Sequence, residues 1–309
     1  MPRFRLSLGP LRASLAAGRE GAEFRFGLGG PRWQRWYQGL AARRRAVREA
    51  AKAAATAPDT PAPEEAGPAA ELRRRVATVP WYHAIDLGHG VVTPGIFDHR
   101  PVIDRYRLPD SLAGLRVLDI GTFDGYWAFE FERRGAAEVV AMDIPTFGDA
   151  DFPPPARARM DPAVLAEETG RGFVIAHDVL GSRVERRTGS VYRLDVAEWG
   201  RFDLVHLGNV LVHLRDPALA LQRILPLVRG RLMVSEAVDP DLEDAEGMGP
   251  LLRYIGAEQD CNWWRFNTAA IEKMLRDAGF TTAETVARFR LPVKGGARDL
   301  TQAVVIATP

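Results

Sequence analysis

Several residue groups in this chain are of types that could do chemistry. Tyr82 and His83 stand together in a short connecting stretch, Pro80-Trp81-Tyr82-His83, that is dense in aromatic residues. An imidazole titrates near neutral pH and suits removal of a proton from a hydroxyl or amine. A second imidazole, His213, lies four residues past Asn209 at the entrance to a helix, where a hydrogen-bonded structural histidine is the competing reading. The indoles of Trp263 and Trp264, followed by Arg265, could clamp a planar acceptor, as could Trp81; the alternative for the pair is a hydrophobic plug over a sheet end. Asp119, Asp143 and Asp195 lie in or just after short aliphatic runs, where a carboxylate can meet a ligand; Asp195 could equally cap the helix that follows it.

The elements that must position these groups are legible around residues 116–143. Arg116-Val117-Leu118-Asp119-Ile120 reads as a strand, Gly121-Thr122-Phe123-Asp124-Gly125 as a glycine-bracketed turn, and Tyr126 onward as a helix. Strand, turn and helix form the first half of a nucleotide-binding βαβ unit. The next strand, 138–143, ends in Asp143, 18 residues beyond Gly125, where an acid can accept hydrogen bonds from both hydroxyls of a ribose. A dinucleotide fold wants three glycines as G-x-G-x-x-G so that backbone amides reach a pyrophosphate. Here the middle position is Phe123, the spacing is G-x-x-x-G, and Asp124 would repel a phosphate. S-adenosylmethionine offers a ribose without a phosphate and a cationic amine that Asp119 or Asp124 would favour, so the loop suits it better than a dinucleotide. For the loop alone, a βα turn whose glycines serve only packing competes with this reading.

From Arg116 onward the pattern alternates strand and helix, with strands expected at 116–120, 138–143, 190–194, 202–207 and 231–236. Asp161-Pro162 and Asp216-Pro217 each read as an N-cap followed by proline at the first helical position. A helix over 269–278 and two final strands, 280–290 and 300–308, close the chain; joined by a short loop, those strands must pair antiparallel. The fold class expected is α/β and Rossmann-like, a seven-stranded, mostly parallel sheet with a terminal antiparallel hairpin. Strand 202–207 delivers Gly208 and Asn209 beside the glycine loop. Thr122 and Phe123 of that loop, Ile144 next to Asp143, and Val196 next to Asp195 complete the candidate cofactor contacts.

Upstream, residues 1–70 read as a basic extension: Gly- and Pro-punctuated short segments, an Ala- and Arg-rich helix at 33–56, and a Pro-rich linker at 57–70. Residues 1–56 hold twelve basic side chains against three acids, whereas the whole chain carries a net charge of only +1, so the remainder is acidic. A basic arm on an acidic body suits a nucleic-acid contact, an anionic surface, or an arm that folds on its own domain or mediates a homodimer. The single cysteine, Cys261, excludes an intrachain disulfide, and six histidines without repeated ligand spacing argue against a metal. With no apolar run of membrane-spanning length and no secretory core near Met1, a cytoplasmic location is expected.

Pro80-Trp81-Tyr82-His83, Thr93-Pro94-Gly95, the run 117–125 and Asn262-Trp263-Trp264 resemble bacterial proteins of the tRNA (mo5U34)-methyltransferase-like family over residues 75–290. The resemblance implies a class I methyltransferase domain, here 71–309, that uses S-adenosylmethionine. By motif position it puts Asp119, Gly121, Gly125, Asp143, Asp195 and Gly208 at the cofactor. The related carboxymethyltransferase has a tyrosine before a histidine where this chain has Val212-His213, and basic residues before the glycine loop where it has Arg100 and Arg105 but no lysine. Both departures point to the ordinary cofactor. Three readings follow: methylation of a hydroxyl or amine on a small molecule or sugar, methylation of a tRNA wobble uridine, and a non-catalytic nucleotide-binding module.

Overall fold

The computed structural model describes residues 4–8, 11–18, 21–27, 67–243, 248–256, 261–294 and 299–309, with side chains from residue 67 on. The helix expected at 33–56, most of the linker and any dimer contact through them lie outside the described residues. Near the start, Phe4–Leu8, Leu11–Gly18 and Gly21–Gly27 pair as a three-stranded antiparallel meander. Helix α1, Pro68–Ala77, begins inside the stretch expected as linker, because Pro68 falls in its first turn, where the missing N–H costs nothing.

The body is one seven-stranded sheet. Its strands are β1 (Arg116–Ile120), β2 (Glu138–Asp143), β3 (Glu185–Thr188), β4 (Phe202–Gly208), β5 (Val228–Val238), β6 (Thr282–Leu291) and β7 (Leu300–Thr308), in the spatial order β6-β7-β5-β4-β1-β2-β3. The five strands β1 to β5 pair parallel, and β7 runs antiparallel to both β5 and β6. A single reversed strand, inserted between β6 and β5, therefore makes the terminal hairpin. Strand β3 lies at 185–188 and not at 190–194: Ser190 instead caps a 3-10 turn over Val191–Arg193. Its sequence, Glu-Arg-Arg-Thr, lacks an apolar pattern because β3 is an edge strand, where charged residues are tolerated and block further pairing.

Both sheet faces are covered, which is why β1, β2 and β4 are aliphatic on both sides. One face packs α1, α2 (Tyr126–Arg133) and α3 (Arg171–Leu180) around Val117, Phe131, Phe173 and Leu204. The other packs α4 (Pro217–Ile224) and α5 (Thr268–Asp277) around Leu118, Val205, Leu221 and Ile271. Asp161 and Asp216 cap their helices as their Asp-Pro pairs predict, accepting from Ala163 N and Leu219 N. The segment around 101–107 forms a 3-10 helix, Arg100–Tyr106.

Sheet order reverses at β1: the chain goes on to β2 and β3 on one side and returns to β4 on the other. A crevice outside the carboxyl ends of the strands is the expected ligand position at such a switch point.

Candidate active site

A cavity of about 190 Å³ occupies that crevice. The ends of four parallel strands meet there: Asp119, Ile120 and Gly121 from β1, Met142 to Ile144 from β2, Gly189 and Val191 after β3, and Gly208 to Val210 after β4. Close approach explains the first glycine. A Cβ on Gly121, whose φ is +76°, would fall 2.6 Å from the Val210 side chain.

Register sets the first acid. Asp119 lies opposite His206 in the β1–β4 pairing, and Asp119 Oδ1 accepts from His206 Nδ1 at 2.7 Å. His206 Nε2 then takes the hydroxyl of Ser235 at 2.9 Å. All three groups are buried, and Asp119 Oδ2 has no hydrogen-bond partner among the described residues. A buried carboxylate oxygen without a donor, beside an open cavity, is a costly feature unless a ligand supplies the donor.

The second acid is Asp143. Its Oδ2 accepts from Phe123 N and its Oδ1 from Ile144 N, each at 2.8 Å. A carboxylate offers about four acceptor sites, so each oxygen keeps capacity for one more donor. Burial pushes the Asp143 carboxyl up to about 6, against the opposing pull of the Ile144 amide and Arg186. Phe123, which holds Asp143 through its N–H, sits in the left-handed region at φ 51° and turns its ring toward Tyr82 and Phe147.

His83 borders the same cavity, and its place is built from two directions. From the loop 93–97, Thr93 Oγ1 donates to His83 O at 2.6 Å, Phe97 N donates to Tyr82 O at 3.0 Å, and Ala84 N donates to Phe97 O at 2.8 Å. The Thr-Pro-Gly sequence has a physical reason, since a Cβ on Gly95 would lie 2.0 Å from the His83 carbonyl carbon. From the glycine loop, the buried Asp124 accepts from Tyr82 N and His83 N, both at 2.8 Å, and its other oxygen pairs with His83 Nδ1. The ring stacks against Tyr126 and meets Tyr82 edge-on. Burial, reinforced by Glu236 and Asp124, pushes the Tyr82 phenol far above its ordinary value, so it stays protonated.

The sequence-predicted residues divide accordingly. The cavity is lined by Tyr82, His83, Asp119, Gly121, Phe123, Asp143, Ile144, Gly208, Asn209 and His213. Thr122 and Gly125 do not line it: Thr122 N bonds to Met142 O, while Gly125, at φ 92°, begins α2 against Phe129 and Phe173. Asp195 is exposed and caps the short helix Val196–Trp199 by accepting from Ala197 N, so neither it nor Val196 reaches the cavity. Gly189 and Val191 take that edge, because β3 ends before 190.

The four expected substrate contacts also stand apart from the cavity lining. The Trp81 indole N–H donates to Val76 O at 2.9 Å inside the α1 packing, and Trp264 donates to Leu214 O at 3.1 Å. Trp263 is buried and donates to Asp151 O, and Arg265 faces Asp239 at 3.7 Å. A buried indole needs a partner for its N–H, and backbone carbonyls supply all three. Asp124 binds His83 and two amides, and so is not available to a cofactor amine. Sequence reasoning missed Phe147, Asp151 and Phe152, which come from a loop with no periodic pattern, and His206, whose only signal is its place two residues before the strand-end glycine.

Residues 95–285, more than half of the chain, match the methyltransferase domain family, and the chain belongs to it. With its class I sheet and acid-tipped crevice, it is an S-adenosylmethionine-dependent methyltransferase. No curated protein matches it. Among solved structures, the N-terminal domain of EvdMO1, crystallised in the presence of SAH and D-fucose, superposes with a TM-score of 0.52 at 20% identity over 80% of this chain and 99% of that one. The same domain with SAH bound gives 0.52 at 18% identity with the same coverage. The 1,6-didemethyltoxoflavin-N1-methyltransferase of Burkholderia thailandensis gives 0.44 at 16% identity over 99% of each chain. At these identities the likeness is one of fold. Among the described residues no helix is long and apolar enough to cross a membrane.

The crevice residues fit the methyl donor on their own chemistry. The orphaned Asp119 oxygen suits a cationic amine, Asp143 suits two ribose hydroxyls, and Met142, Ile144 and Val191 offer apolar walls to a purine.

Proposed function

We propose that this enzyme methylates a hydroxyl or amine of an uncharged or cationic small molecule or sugar, with His83 as the base that takes the acceptor's proton. The bound cofactor supplies a methyl group already activated by a positive sulfur. What remains for the chain is to hold the acceptor in line and accept one proton. The observation that carries the reading is that Asp119, Asp143 and His83 border one and the same cavity. Acceptor chemistry follows from the remaining wall. Phe123, Phe147 and Phe152 present apolar rings, while the charged residues lining it are Asp119, Asp143 and Asp151, with no lysine or arginine among the described lining residues. Such a wall favours an acceptor with an apolar face, the carbon-bound side of a sugar ring included, and disfavours a phosphate or carboxylate beside the reacting atom.

The test is transfer of labelled methyl from S-adenosylmethionine to three pools: a metabolite extract, a panel of free sugars including D-fucose, and total tRNA. Label is expected in a neutral or cationic small molecule and lost in His83→Gln. Label confined to RNA would overturn the acceptor class in favour of the wobble-uridine reading, and transfer unchanged in His83→Gln would remove the base.

A further inference from the structure

We infer that Asp124, in the cofactor-binding glycine loop, is the positioning residue that fixes which nitrogen of His83 carries the proton. The inference rests on the reading of His83 as the base, but its central measurement needs no acceptor.

Tyr82 N–H and His83 N–H both point at Asp124 Oδ2, at 2.8 Å each, and a peptide N–H only donates. Oδ2 is therefore committed as an acceptor, and the other oxygen, Oδ1, faces His83 Nδ1. An ionised carboxylate has no proton to give, so the hydrogen between them belongs to Nδ1. That leaves the lone pair of the neutral imidazole on Nε2, the nitrogen required to accept a proton. No other described residue hydrogen-bonds to the His83 ring. The tyrosines packed on it hold it in plane without competing: Tyr126 is pushed up by burial and by Glu130, and Tyr82 by burial. His99, whose ring lies 5.2 Å from that of His83, is driven well below its usual value by burial and then by His83 and His206, so it stays neutral there.

Position in the loop gives the arrangement its use. Residues 123 and 124 are adjacent, and each holds a different residue of the cavity lining. Phe123 N–H holds the Asp143 carboxylate at 2.8 Å, and the next side chain holds the base. The loop between is pinned by Gly121 N and Thr122 N on Met142 O, and by Gly125 N on Thr122 O. One five-residue turn thus sets the ribose acid and the proton acceptor in register. Sequence alone offers Asp119 or Asp124 to the cofactor's amine; the geometry gives Asp124 to the imidazole 41 positions away.

The discriminating variant is Asp124→Asn, because its geometry is forced. The two backbone donors require the asparagine carbonyl at the Oδ2 position, which turns the NH₂ toward Nδ1. An NH₂ donates, so Nδ1 must lose its hydrogen and Nε2 must gain it. The readout is the tautomer of His83 in the full chain labelled with ¹⁵N-histidine, assigned by difference from His83→Gln. In the wild type, Nδ1 is expected to carry the proton and Nε2 to be bare; in Asp124→Asn the two nitrogens exchange character. Binding of SAH by calorimetry should stay within about threefold, since Asp124 does not line the cavity. A wild-type spectrum with the proton on Nε2 overturns the inference whether or not the variant folds. So does a folded Asp124→Asn whose spectrum matches the wild type. With an acceptor in hand, the variant should lower kcat by about 10²–10⁴, the range for loss of a positioned base, with KM for the methyl donor unchanged. If the tautomer exchanges as described yet His83→Gln transfers methyl normally, the proton-acceptor reading of His83 fails while the positioning by Asp124 stands.

Discussion

Asp143→Ala tests the proposed ribose-binding acid, and its expected cost can be worked from the structure. Each oxygen of Asp143 already accepts one backbone N–H and retains capacity for one further donor. Two ribose hydroxyls on a carboxylate are charge-assisted hydrogen bonds of roughly 1.5–3 kcal/mol each, so their loss costs about 3–6 kcal/mol, or about 10²–10⁴ in Kd. Fold stability should move much less, because two effects oppose. Removing an acid whose burial raises it from 3.8 to about 6 relieves a cost at neutral pH, whereas the Phe123 and Ile144 amides lose their acceptor. The same shift gives a pH arm. Only the ionised form can take both hydroxyls, so the affinity of the wild type is flat above pH 7 and falls as pH drops through about 6. One pH unit below that midpoint, at pH 5, the affinity is lower by about tenfold. Calorimetry of SAH binding at pH 5, 6 and 7.5 measures both arms, with urea unfolding as the control for structure. A folded Asp143→Ala that binds SAH within threefold of wild type, or a wild-type profile flat from pH 7.5 to 5, would refute the reasoning.

Two further substitutions probe the frame around the site. Glu236, fully buried at the carboxyl end of β5, accepts from Leu211 N at 2.8 Å and Ala237 N at 3.2 Å, and burial pushes it from 4.5 up to about 8. The folded chain therefore keeps a proton that the unfolded chain releases, so this group's stabilisation is lost as pH rises from about 4.5 to 8. Between pH 6 and 8 the wild type should lose roughly 2 kcal/mol more than Glu236→Gln in paired urea melts, and parallel pH slopes would show that Glu236 is ionised when folded. Gly95→Ala places a methyl 2.0–2.6 Å from backbone atoms of His83 and Ala84, which no side-chain rotation relieves. The variant should lose about 2 kcal/mol or more and shed methyl transfer; an unchanged urea midpoint would show that the two loops are not in contact.

The parts of the fold readable in the sequence are those fixed by local rules. The aliphatic runs at β1, β2 and β4 are buried on both faces, and the Asp-Pro pairs start helices by local capping chemistry alone. Strand β3 escaped because an edge strand of Glu-Arg-Arg-Thr carries no apolar pattern, and that shifted the expected cofactor contact onto Asp195, for which a helix cap is the competing reading. Residue type makes Trp81, Trp263 and Trp264 candidate ligand contacts, with a hydrophobic plug the alternative for the pair. An indole clamping an acceptor and an indole donating to a carbonyl in the core look alike until the carbonyl is located. The bond between Asp124 and His83 spans 41 residues and follows no spacing rule, so only the tertiary structure pairs them.

Features that lower stability concentrate in and beside this crevice. Asp143 and Glu236 are acids raised by burial, Asp119 keeps an orphaned oxygen, and Phe123 and Asn209 occupy the left-handed region at φ 51° and 52°. A left-handed non-glycine residue costs about 1–2 kcal/mol, and buried unpaired oxygens cost on the order of 1–3. These features cluster at the carboxyl ends of β1, β2, β4 and β5, whereas aliphatic contacts dominate the helix-covered faces of the sheet. Strain and unpaired charge persist where the surrounding structure enforces them and a ligand makes use of them. A cation beside Asp119 and hydroxyls on Asp143 would satisfy groups that the protein alone leaves unfavourable. On that account the burial that raises Asp143 and the turn that strains Phe123 are one device: the strained residue supplies the N–H that holds the acid in place at the crevice.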